Sequence, residues 1–140
     1  MKIPVILSLR GRQAYMNQEP DVIELVTEGT MELQDSGWVI CYEESDLTGL
    51  AGVKTEFRVE TDKVILTRTG KLNSQMVFQE GIRHDSLYQM EFGTLMITVC
   101  ASRIIAQLDE RGGMVDLVYD IELEQTAAGE VDYHLEIRAK

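Results

Sequence analysis

Apolar and polar residues alternate in nearly every segment of this chain, and a period of two sends neighbouring side chains to opposite faces of a β-strand. Ile3, Val5, Leu7 and Leu9 open the pattern. Ile23, Leu25, Thr27, Gly29, Met31 and Leu33 continue it in one phase while Glu24, Glu28 and Glu32 hold the other. Gln34-Asp35-Ser36-Gly37 punctuates as a tight hairpin, and Trp38, Ile40 and Tyr42 then alternate with Val39, Cys41 and Glu43. Thr55, Phe57 and Val59 follow, and a Thr61-Asp62 turn leads into Val64, Leu66 and Arg68, closed by Gly70-Lys71. Met76 and Phe78 mark another strand before Gly81, and Tyr88, Met90 and Phe92 mark the next before Gly93. Val115, Leu117, Tyr119, Ile121 and Leu123 share a face, as do Val131, Tyr133, Leu135 and Ile137.

Roughly ten strands result, joined by short Gly-, Asp-, Asn- or Ser-containing turns, which is the pattern of an antiparallel meander. One segment also satisfies helical spacing: Ile97, Cys100, Ala101, Ile104, Ile105 and Leu108, with Gly112-Gly113 as a C-cap. The β-branched Thr98 and Val99 and the strands on both flanks predict strand over 94–108, bent or bulged near Ala101-Ser102. So many sequential hairpins must remove their unpaired edges. The expected architecture is therefore an all-β, closed, antiparallel up-and-down barrel of about eight to ten strands over residues 1–140, with an open two-sheet sandwich as the alternative. Such a barrel is filled by side chains or holds one small ligand.

Composition narrows the partners. The 140 residues carry 24 acidic against 13 basic side chains, a formal charge of -11. That excess argues against a nucleic-acid partner, which needs a basic face, and against an anionic membrane surface. Cys41 and Cys100 lie alone in apolar runs and are expected to be small core residues; one bridge between them stays open. Arg10 and Arg12 interrupt the apolar start and no small-residue cleavage site follows, so no signal peptide is expected. No apolar run approaches membrane-spanning length. A cytoplasmic location follows as the expectation.

A set of separated motifs runs through nearly the whole chain: Tyr42-Glu43-Glu44, Thr55, Val64-Ile65-Leu66-Thr67-Arg68-Thr69-Gly70, Phe78-Gln79-Glu80-Gly81, Tyr88, Phe92-Gly93-Thr94-Leu95 and Tyr119. In this order and spacing they resemble the YwiB-like family of bacterial proteins of unknown function. The resemblance implies a small cytosolic barrel of calycin-like, lipocalin-related shape with an interior pocket, and it carries over no catalytic or ligand residues. A lipocalin-like Gly-x-Trp near the N-terminus is missing, as is the Arg-x-Tyr clamp of the intracellular lipid carriers, which weakens a fatty-acid carrier reading.

Polar residues in phase with the apolar face are the informative ones, because a buried charge needs a partner. Glu44 is in phase with Trp38, Ile40 and Tyr42, and Arg68 with Val64 and Leu66. An arginine inside a barrel can clamp a carboxylate or phosphate. The plainer reading is that both drift outward at the strand ends or neutralise one another near the rim. Thr55, Tyr42 and Tyr88 supply hydroxyls, and Trp38, Phe57, Phe78 and Met90 an apolar wall. These residues form the candidate ligand site.

Other groupings are weaker. Asp116, Asp120, Glu122 and Glu124 spread along one strand face and are read as solvated. His84-Asp85-Ser86 is read as a loop, since relays converge from separate elements, and His134 as exposed. The two histidines are far apart, so no metal is expected, and no cofactor motif is present. The small-residue loop Leu47-Thr48-Gly49-Leu50-Ala51-Gly52 is a lid or a plain turn. Met16, Met31, Met76, Met90, Met96 and Met114 are read as core filler.

Three functions remain in order: a binder of a small, partly apolar or anionic molecule at the barrel mouth; a filled-barrel interaction module contacting a protein or a second copy of itself as a homodimer; and an enzyme using Glu44 as general acid or base. A non-catalytic role is favoured.

Overall fold

The structure is a computed structural model that describes residues 2–15, 19, 21–35, 37–44, 51–91 and 93–140. Its strands are β1 (Ile3–Tyr15), β2 (Asp21–Gln34), β3 (Gly37–Glu43), β4 (Val53–Val59), β5 (Val64–Gly70), β6 (Ser74–Phe78), β7 (Arg83–Met90), β8 (Gly93–Asp109), β9 (Gly112–Leu123) and β10 (Thr126–Ala139). They form one sheet in the order β6-β5-β4-β3-β2-β1-β10-β9-β8-β7, with every neighbouring pair antiparallel. The sheet curls into a nearly closed barrel. The expected closure is incomplete: β6 and β7 meet only through isolated bridges, Asn73 to Gln89 and Gln79 to Ile82, and Glu80 bridges to Ala101.

The alternation places the core where the pattern predicts. Val5, Leu7, Met31, Ile40, Phe57, Val64, Phe78, Val99, Val115 and Leu135 are wholly or almost wholly buried along the inner face. The segment that also fitted a helix is strand throughout, and its register shifts between Ala101 and Arg103, at the expected bulge. A second shift in β10, between Ala127 and Gly129, bends that strand near its start.

Several expectations change. Residues 84–86 are strand, not loop, because β7 pairs in register with β8 and its polar groups find cross-strand partners: Thr98 Oγ1 donates to Asp85 Oδ1 at 2.6 Å, and His84 Nε2 meets Gln79 Oε1 at 3.1 Å. Cys41 and Cys100 are free thiols and only half-buried, since each falls in the outward phase of its strand. Met31 and Met76 fill the core, whereas Met90 is exposed and Met96 and Met114 are half-buried. His134 is half-buried beside Asp116 and Glu136. Asp116 and Glu122 stand on the outer face in ion pairs with Arg103 and Arg83. Residues 45–50, Met16 and Phe92 lie outside the described residues, and with them most of the small-residue loop. No helix among the described residues is long and apolar enough to cross a membrane.

Two backbone positions are demanding. At Gly29 of β2 an added Cβ would overlap the Cys41 carbonyl of β3 and lie 3.0 Å from Leu7 Cδ1, so the two strands approach closely only over a glycine. The β9–β10 turn holds Glu124 and Gln125 at φ 51° and 66°, the left-handed pair of a type I′ hairpin that favours Asn-Gly. Glu124 is tied down by Met96, whose N–H donates to its carboxylate and whose carbonyl accepts its N–H.

Gly29→Val is expected to destabilise the fold by about 1–3 kcal/mol in urea unfolding, through forced overpacking. Gln125→Gly is expected to stabilise it by about 0.5–1 kcal/mol in the same measurement, because relief of the left-handed strain outweighs the added freedom of the unfolded chain.

Candidate binding site

The site begins as a register effect. Tyr42 on β3 pairs with Thr55 on β4, Thr55 with Arg68 on β5, and Arg68 with Ser74 on β6. Each occupies the inward phase of its strand, so a row of polar side chains crosses the interior of an otherwise apolar wall. Glu44 lies one inward step beyond Tyr42, and its N–H extends the ladder to the Val53 carbonyl at 2.8 Å.

The row is closely connected. Thr55 Oγ1 donates to Glu44 Oε2 at 2.5 Å with both side chains buried. Arg68 Nε stands 4.0 Å from the same oxygen, with side-chain exposures of 16% for Arg68 and 2% for Glu44, too buried for a rim pair screened by solvent. Both side chains point inward and face one another, so neither the outward drift nor the rim pair is what the structure shows. Three buried polar atoms, Arg68 Nε, Ser74 Oγ and Ser86 Oγ, have no hydrogen-bond partner among the described residues. Arg68 and Ser74 belong to the polar row, and Ser86 stands across the incomplete β6–β7 seam.

Beside the row is a cavity of about 490 Å³, within the ordinary range for a small-molecule pocket. Its polar end is formed by Tyr42, Glu44, Arg68 and Tyr133, and its body by apolar residues including Phe57, Leu66, Met76, Ile97 and Leu117. Tyr88, Leu95 and Ile23 stand toward its mouth, and Ile23 is 45% exposed. The cavity lies in the half of the barrel that holds the Glu43 end of β3, the Val53 end of β4, the Gly70 end of β5 and the Met90 end of β7.

Of the residues expected to form a ligand site, the structure brings Arg68, Glu44, Tyr42, Phe57 and Tyr88 to this cavity, with Thr55 directly behind Glu44. It does not bring Trp38, Phe78 or Met90 there. Trp38 lies six residues before Glu44 on the same face and so borders a groove at the opposite end of the barrel. Phe78 is fully buried against Tyr119, ring centres 4.5 Å apart. Met90, at the end of β7, faces solvent.

Tyr133 was not among the expected residues. Its hydroxyl lies 3.3 Å from that of Tyr42, and its ring packs on Phe57 at 5.6 Å. The signal was the one that marks Tyr42, a hydroxyl in the inward phase of its strand, here between Val131 and Leu135. Burial pushes the Tyr42 hydroxyl up to about 12, aided by the negative charge of Glu44. Burial also raises Tyr133 well above the usual tyrosine value. Both are therefore neutral hydrogen-bonding groups near pH 7, not bases. The arrangement can take an apolar body along the wall and a polar end at Arg68 and the tyrosines.

With fold and geometry in place, comparison with known proteins places the chain. A model of a domain of unknown function, DUF1934, matches residues 7–137. The chain belongs to this family. The uncharacterised β-barrel protein YwiB of Bacillus subtilis is 32% identical over 108 residues, spanning 76% of this chain and 72% of the relative. The crystal structure of ywiB matches with a TM-score of 0.83 at 24% identity, covering 96% of this chain and 92% of that one. The family resemblance seen in the motifs and the ten-stranded barrel are thus both supported, and the barrel is a property of the family fold.

The raised tyrosines set a pH dependence. Tyr42 holds its proton more tightly folded than unfolded, so its contribution is complete below pH 10 and is lost as pH rises toward about 12. A rise from 10 to about 12 corresponds to roughly 2–3 kcal/mol. Urea unfolding at pH 8.5 and 11.5 is expected to show a fall of that order, and Tyr42→Phe to show a clearly smaller one.

Proposed function

We propose that this protein is a cytoplasmic, non-catalytic binder of a small molecule with an apolar body and a polar or anionic end, held within the barrel near its mouth. The observation that carries this reading is the cavity of about 490 Å³ with Arg68 at its polar end, its Nε buried without a hydrogen-bond partner among the described residues. A barrel filled by its own side chains would bury that atom only at a cost in desolvation, whereas an acceptor on a ligand would satisfy it. The Glu44 carboxylate compensates most of the arginine's charge, and so favours an end group that accepts from Arg68 without requiring a full negative charge. Tyr42 and Tyr133 add hydroxyls that donate or accept. Phe57, Leu66 and Leu117 would cover the apolar body.

Native mass spectrometry of protein purified gently from its own host should show mass in excess of the denatured chain, lost on denaturation. Arg68→Met should abolish that excess while circular dichroism and the melting profile report a folded barrel. An intact variant that retains the full bound mass would remove Arg68 from the site, and a wild-type mass equal to the bare chain would overturn the carrier reading.

A further inference from the structure

The staves of the barrel are unequal, and the longest has an unpaired side. β7 pairs with β8 only as far as Arg83 with Cys100, whereas β9 pairs with β8 to Asp109 with Gly112. Among the described residues, no strand pairs with residues 102–109 on the side away from β9. The direction of the backbone there can be read from two contacts. The Ile104 N–H points away from β9 and donates to a side chain, Glu80 Oε1, at 2.7 Å. The Gln107 carbonyl faces Gly113 of β9. Alternation then turns the N–H and C=O of Ala106 and Leu108 to the open side.

That open side borders a groove of about 780 Å³ at the end of the barrel opposite the ligand cavity. Trp38, Val59, Leu33 and Leu108 give it apolar surface, and Leu33 is 62% exposed. Its charged lining is Glu60, Asp62, Lys63 and Glu80, and Lys63 is already paired with Glu60 at 3.7 Å. The rim is therefore acidic. Natural sheets commonly shield such an edge, and an extended segment that adds to one gains backbone hydrogen bonds and side-chain pockets together.

We infer that this groove is a strand-addition site for an extended, cationic and apolar segment of a partner protein, which pairs with Ala106 and Leu108 and seats alternate apolar side chains against Trp38 and Val59. Charge selects the occupant. A chain of formal charge -11 with an acidic groove attracts a basic segment and repels a second copy of itself. The inference is independent of the lumen ligand, because the two sites lie at opposite ends of the barrel and share no lining residue.

The test uses a fluorescein-labelled peptide of alternating lysine and valine, titrated against the full chain at low salt by fluorescence anisotropy, with amide hydrogen exchange on the same complex. Saturable binding is expected, with slowed exchange at Ala106 and Leu108. Ala106→Pro removes an N–H that no ladder uses, and should weaken binding about tenfold, as should N-methylation of the peptide backbone, which leaves the protein unaltered. Asp62→Lys should weaken binding, and a glutamate–valine peptide should bind far less well. Absence of binding, equal binding of the N-methylated peptide, or unchanged exchange at Ala106 and Leu108 would overturn strand addition. Equal binding of the glutamate–valine peptide would overturn the cationic class. A sedimentation dimer dispersed by Ala106→Pro would make the occupant a second copy and overturn the partner protein.

Discussion

Register across the sheet is the constraint from which the rest follows. Antiparallel pairing puts Tyr42, Thr55, Arg68 and Ser74 directly opposite one another, and the pleat turns all four to the same face. A one-residue slip in any of these strands would send its polar residue to solvent and its outer residues, charged at Lys54, Glu56 and Arg58 of β4, into the core. The next inward row, Ile40, Phe57, Leu66 and Met76, is what makes such a slip costly, because all four are buried. The core thus positions the polar row, and the polar row is what distinguishes this interior from a plain hydrophobic one.

Electrostatics then shapes what that interior can accept. Glu44 is held by a short hydrogen bond from Thr55 and faces Arg68 across 4.0 Å, so the site is a compensated pair with donor capacity to spare, not an isolated cation. Paired tyrosine hydroxyls, kept protonated by burial, extend the polar end without adding charge. The far end of the barrel is organised differently. There the geometry comes from strand length: β8 outruns β7, and Glu80 covers one amide of the edge that results. One end offers a cavity among the inward side chains and the other a groove along a strand edge, and the difference traces to where the strands stop.

Much of this was legible in the order of the residues. The strands, the bulge beside Ala101-Ser102 and the inward direction of Glu44 and Arg68 all follow from a period of two, which is a local property. Position along the barrel axis is not local. Trp38 and Glu44 share a face, yet several residues at the rise of a strand separate them by roughly 20 Å, enough to place them at opposite ends. The same reasoning separates Phe78, which spends its ring on Tyr119, from the cavity it was expected to line. Residues 84–86, expected as a loop because relays converge from separate elements, are strand because their partners, Gln79 and Thr98, come from other elements.

By itself, then, the sequence determined the all-β class, the antiparallel succession of strands and the set of side chains that face inward, because alternation and turn chemistry act over a few residues. Only the tertiary structure decided which inward residues meet. It brought Tyr133 to Tyr42 across 91 positions of sequence, left the β6–β7 seam held by isolated bridges, and left the far edge of β8 without a strand partner among the described residues. Those outcomes depend on the curvature of the sheet and on the relative lengths of strands remote in sequence, and no local pattern encodes either.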